Sequence, residues 1–247
     1  MIIKAFNFTY FLLLSVTVGV AAVLTCATRN KSSDARRRLI LGICLFNLLF
    51  YIVYKLGLYF RTPGLPADYI YISWKELPLH LCNISLFLVP WGVAKKNDSL
   101  LAYGVYIAPL GALLALTFPS VGFGDMNIFY PHMIGYYGTH AIIILNGILL
   151  VSMGLYRPTF KKIPAMFLFV FILSLITFGI NLAIRHFTGI SANYFYTVEP
   201  EGISILELFW SILPVPYLYI TLGIVILAVY SVILTLPFHL ARKKTPV

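Results

Sequence analysis

The 247-residue chain is 60% hydrophobic and 11% charged, with a mean hydropathy of +0.91. That composition excludes an ordinary soluble domain and indicates a polytopic membrane protein. The net charge of +10 invites a nucleic-acid reading, but the placement of the charges argues against it.

One helical span needs about 20 apolar residues, so the chain has room for about seven spans joined by short loops. They read as Phe6 to Cys26, Leu39 to Phe60, Leu77 to Ala94, Leu100 to Phe118, His132 to Leu155, Ile163 to Ile184 and Ile205 to Leu236. The expectation is a single all-α transmembrane domain over residues 1–247. The first span is expected to be retained rather than cleaved, because Arg36-Arg37-Arg38 behind it opposes export. Pro214 and Pro216 predict that the last segment starts as a loop or a broken helix.

The charges give the topology. Arg29, Lys31, Arg36, Arg37 and Arg38 follow span one, Lys95 and Lys96 span three, and Arg157, Lys161 and Lys162 span five; Arg242, Lys243 and Lys244 lie in the tail. With seven spans these segments share one side, with only Asp34 and Asp98 among the acids. The positive-inside rule then predicts the N-terminus outside and the C-terminus inside. The basic charge is topological, with some attraction to anionic lipid.

The third span is opened by Leu77-Pro78-Leu79-His80-Leu81-Cys82-Asn83-Ile84-Ser85, preceded by Lys75 and Glu76. Pro78 suits the first turn of a helix. Polar groups inside a membrane segment are costly and mark a functional site by default. Cys82 has no cysteine partner in the outer half, since Cys26 and Cys44 fall toward the inner ends of their spans. It is either a small packed hydrophobe or a nucleophile activated by a helix N-terminus and a nearby imidazole. In a regular helix His80 points about 200° away from Cys82, so His80 is either packed or catalytic only if the helix start is distorted. His140, on span five at matching depth, is the better base, or else a packing hydrogen bond. It continues the stripe His132, Tyr136, His140 on one helix face. Gly135 and Gly138 on the same span would admit a close neighbouring helix.

Asn181 ends span six, and Asn193 and Tyr194 lie in the aromatic loop from Gly189 to Pro200. That loop reads as an interfacial belt or as a lid. With Asn83, Tyr136 and Tyr217 these residues are the expected polar lining of one outward-facing cavity. No metal is expected, because His132 and His140 stand about 12 Å apart along a helix and no Cys-x-x-Cys or His-x-x-x-His occurs. There is no Walker motif, no Gly-x-Ser-x-Gly and no cofactor signature.

Leu77-Pro78-Leu79-His80-Leu81-Cys82, His140, Asn193-Tyr194-Phe195 and Pro214-Val215-Pro216-Tyr217 stand in the order seen in the YwaF-like bacterial integral membrane family. The chain resembles that family, and through it vertebrate transmembrane protein 164, from span two to span seven. The family's last motif usually reads Trp-Pro-x-Tyr, from which this chain departs. The resemblance implies a seven-helix protein of the bacterial plasma membrane and, for the vertebrate relative, cysteine-dependent acyl transfer between phospholipids. By position the cysteine role falls on Cys82 and the histidine role on His140. The functional expectation is a lipid acyltransferase or acyl hydrolase, with His80, Asn83 or backbone N–H groups at the oxyanion. Membrane lipids are the expected substrates and nucleic acid is no partner. The alternatives are a transporter or a lipid- or ligand-binding membrane subunit, and a metal-dependent lipid hydrolase.

Overall fold

A computed structural model describes residues 2–61, 77–119 and 127–243. Lys75 and Glu76 lie outside the described residues, as does the side chain of His132. The described chain is helical: α1 Phe8–Thr28, α2 Ser33–Arg61, α3 Leu81–Lys95, α4 Asp98–Tyr106, α5 Ala108–Thr117, α6 Pro131–Ser152, α7 Ile163–Thr188, α8 Ser204–Ile212 and α9 Gly223–Lys243. Local chemistry sets several boundaries. Asn7 caps α1 by accepting from the Tyr10 N–H at 2.8 Å. Asn97 caps α4 through Ser99 and Leu100. Prolines occupy the first turns of α5, α6 and α7, and Gly189 ends α7 at φ 72°.

Six helical stretches are long and apolar enough to cross a membrane: α1, α2, α4 with α5, α6, α7, and the segment leading through α9. The predicted third span is shorter than expected. α3 has 15 residues, about 22 Å, against a hydrocarbon core of about 30 Å. Length therefore does not carry seven crossings. Pro78 also lies outside the helix: α3 starts at Leu81, with His80 as its extended N-cap. The predicted fourth span is broken at Ile107 and resumes with Pro109 in the first turn of α5. Pro109 has no N–H for the Val105 carbonyl, and the Tyr230 hydroxyl donates to it instead. The last segment is broken as its prolines predict, with α8, an irregular stretch, a 3₁₀ turn over Tyr219–Leu222, and then α9.

α6 is the packing centre, and small residues let its neighbours approach. An added Cβ on Gly135 would meet the Tyr54 ring at 2.3 Å, and one on Gly138 would meet Phe50 at 2.9 Å, so the helix those glycines admit is α2. Gly147 sits against Pro109 of α5, at 2.2 Å by the same measure. The same contacts fix depth. Leu81 touches Gly111 of α5, while the Tyr136 hydroxyl donates to the Ala115 carbonyl. His140, between Tyr136 and Gly147 on α6, therefore lies level with the first turn of α3. Gly111 is six residues before the end of α5, so that level is about 9 Å below the helix end.

Candidate functional site

A cavity of about 850 Å³ opens at this depth, walled by α2, α3, α5, α6, α7 and the chain from Phe195 to Leu227. Lys55, His80, Cys82, Asn83, Tyr136, His140, Ser174, Tyr196, Glu201, Tyr217 and Thr221 are among its polar residues. Apolar side chains, many of them on α5, α7, α8 and α9, form most of the rest.

Cys82 is half-buried at the second position of α3. The His80 side chain makes no capping hydrogen bond at the start of α3, so first-turn backbone N–H groups there have no intrahelical acceptor. The thiol donates to Asn83 Oδ1 at 3.7 Å. Ser85 donates to the Cys82 carbonyl at 2.5 Å, and buried Tyr103 donates to the Leu81 carbonyl at 2.8 Å. The start of the helix is thus held by its own turn and by α4.

His80 precedes the helix in an extended conformation, so the 200° separation of a regular helix does not apply, and both side chains line the cavity. The His80 ring packs against Tyr194 at 5.4 Å and Tyr196 at 5.1 Å. His140 is 5% exposed. Its Nδ1 lies 2.7 Å from the Tyr136 carbonyl, which only accepts, so Nδ1 carries the hydrogen. Nε2 is then the basic nitrogen, and it is buried without a hydrogen-bond partner. The Tyr136 ring also lies tilted at 4.4 Å from the His140 ring, and Asn47 of α2 donates to the neighbouring Thr139 carbonyl at 3.3 Å. The imidazole is oriented by Tyr136, one turn earlier on its own helix.

Three expected lining residues are used elsewhere. Asn181, fully buried, receives the Tyr194 N–H at 2.9 Å and donates to the Tyr194 carbonyl and Thr197 Oγ1, each at 2.8 Å. Asn193 binds the Val198 N–H and the Glu199 carbonyl. The Tyr194 hydroxyl accepts from the Leu77 N–H at 3.2 Å. None of the three lines the cavity. Short polar side chains satisfy the backbone of a turn-rich loop, and that is their structural work here. The loop is a braced cap rather than a loose lid. Arg185 adds a bond to the Ala192 carbonyl and an ion pair with Glu199 at 2.5 Å. The Tyr217 N–H reaches the Thr197 carbonyl at 2.6 Å, and the Tyr219 hydroxyl donates to the Tyr196 carbonyl.

Sequence reading missed Lys55 and Ser174 as cavity residues. It had Glu201 only among the outer acids that a polar cavity would use, and Phe195 and Tyr196 only as part of the lid or belt loop. Phe195, Tyr196, Glu201 and Tyr217 all hold left-handed φ values of 50–64°, a costly conformation for residues with side chains. The same four residues wall the cavity, and no residue type announces that geometry in advance.

Among the described residues no three His, Cys, Asp or Glu side chains gather as metal ligands. The arrangement defines a polytopic helical membrane protein whose internal cavity presents a thiol and an oriented imidazole among largely apolar walls. The chain belongs to the TMEM164 family, whose model matches residues 3–234. No curated protein and no solved structure matches it.

Proposed function

We propose that the protein is a membrane-embedded acyltransferase or acyl hydrolase acting on lipid esters. The observation that carries this reading is the shared cavity of Cys82 and His140, with the bare Nε2 on the imidazole. In the proposed cycle His140 Nε2 takes the Cys82 proton and the sulfur bonds to the ester carbonyl carbon. The oxyanion is met by first-turn N–H groups of α3, which the His80 side chain leaves uncapped. The C–O bond breaks, the alkoxide leaves with the proton from His140, and a thioester remains on Cys82. A lyso-lipid hydroxyl or water then attacks that thioester while His140 takes its proton. The acyl group leaves on the new oxygen and the thiol is restored.

The topology that goes with this reading has seven crossings in the cell membrane, with the N-terminus outside. α3 would be the short crossing. Its non-helical approach through Leu77–His80 is tolerable at membrane depth because it lines a cavity and packs under the cap.

One observation favours a second reading, a lipid-binding subunit without chemistry: the Cys82 thiol donates to Asn83 rather than to His140. Labelling the purified protein with a lipid-like electrophilic probe separates the two. Covalent labelling at Cys82, located by mass spectrometry, is expected to vanish in Cys82→Ser and to fall about tenfold or more in His140→Ala. An unlabelled Cys82, with lipid binding retained in Cys82→Ser, would favour the subunit.

A further inference from the structure

The cavity has an open side. Three apolar residues that wall it are also strongly exposed: Leu168 (59%) and Phe171 (46%) on α7, and Ile224 (47%) on α9. Such open wall residues, on two helices that their neighbours leave largely uncovered, mark a mouth.

The mouth has a frame. At its outer edge the Tyr217 hydroxyl is 3.2 Å from Ser174 Oγ of α7, and the Tyr217 ring lies 5.2 Å from Phe178. At its inner edge Phe160, just before α7, packs its ring 5.3 Å from His239 of α9. Between these ties, Leu168–Phe171 and Ile224–Leu227 share no hydrogen bond or ring contact among the described residues. Tyr217 keeps the outer tie in a left-handed conformation, φ 64°, so the chain bends sharply there before α9 begins.

Both flanking helices are membrane-crossing by length and composition, so the medium outside the mouth is hydrocarbon. Between the ties the exposed side chains Leu168, Phe171 and Ile224 are apolar, which disfavours passage of a charged head group there. Lys55, His80 and Glu201 join Cys82 in walls supplied by other parts of the chain. At about 850 Å³ the cavity falls within the roughly 300–1,000 Å³ range of ligand pockets.

We propose that the gap between α7 and α9 is a lateral portal, through which one hydrocarbon chain of a bilayer lipid slides in and brings its ester to Cys82. Delivery of an ester to Cys82 rests on the thiol-chemistry reading above; the access route itself does not.

The test measures access to Cys82 in proteoliposomes, in a Cys26→Ser background that removes the exposed thiol. One probe is a single-chain amphiphile with a haloacetamide at its polar end, which partitions into the bilayer. The other is a small water-soluble haloacetamide. The double variant L168W/I224W is expected to slow lipid-probe labelling about tenfold while soluble labelling stays within about twofold. The widened L168A/I224A is expected to speed the lipid probe, and it decides the matter if the tryptophan variant does not fold. Equal effects on both probes, no effect of either variant, or a Cys82 that reacts only with the soluble probe would overturn the portal. Portal behaviour without any acyl transfer would instead overturn the enzymatic reading and leave the access route standing.

Discussion

His140 carries the sharpest residue-level expectation. The hydrogen bond from Nδ1 to the Tyr136 carbonyl makes Nε2 the lone-pair nitrogen. Nitrogen NMR of histidine-labelled protein is therefore expected to show a neutral ring protonated at Nδ1, and an Nε2–H tautomer would remove the proposed base. Gly147 carries a packing expectation of similar precision. A Cβ there would lie 2.2 Å from Pro109 Cγ and 3.1 Å from the Gly104 carbonyl, and both neighbours belong to the kinked α4–α5 segment. Gly147→Ala is expected to cost about 1–3 kcal/mol by overpacking, read as earlier thermal unfolding in detergent. Gly179→Ala on α7, with nothing within 4 Å of the added carbon, is the matched control and should leave unfolding nearly unchanged.

At the scale of elements, the segment from Gly189 to Ile203 is held by side chains rather than by secondary structure. One buried asparagine, Asn181, serves both the N–H and the carbonyl of Tyr194. Tyr194 in turn holds Leu77 and packs on His80. Replacing Asn181 by leucine strands those backbone groups, at about 1–3 kcal/mol each. Asn181→Leu is expected to expose the 189–203 loop to limited proteolysis and to weaken Cys82 labelling through the displaced approach to α3. Loop cleavage with unchanged labelling would show that the cap does not position the thiol. α3 illustrates how an element's length follows from its surroundings. Its first turn is sunk about 9 Å below the end of α5, where the cavity removes the need for helix.

For the whole molecule, α1 to α6 gather around the glycine face of α6, and α7 and α9 lie outside them, held to α4 through Tyr103–Phe169, Tyr106–Thr235 and Tyr230–Val105 and to each other at the two ties of the mouth. The cavity lies where the two parts fail to close. The proposed orientation in the membrane, N-terminus outside, rests on thirteen basic residues gathered in four segments. Accessibility of single cysteines placed in the Arg29–Arg38 connection, near Arg157 and near Glu201 is expected to assign the first two to the cytoplasmic face and the third to the outside. The opposite pattern would invert the cavity and its access to outer-leaflet lipid.

Much of this was legible from residues alone. Apolar runs determine spanning helices because every backbone group must be satisfied inside the membrane. The prolines of the last segment announced its break, and the glycines of α6 announced a close neighbour. Cys82, His80, His140, Asn83, Tyr136 and Tyr217 were selected because polar groups inside a membrane segment are expensive, and all six line the cavity. What the chain does not write locally is which long-range partner each polar group finds. Asn181 and Asn193 looked like lining and serve the loop backbone instead, while the Tyr194 hydroxyl holds the approach to α3. Lys55 looked like topology and lines the cavity. The length of α3, the left-handed cap and the opening between α7 and α9 depend on packing between segments far apart in sequence, so only the tertiary structure decided them.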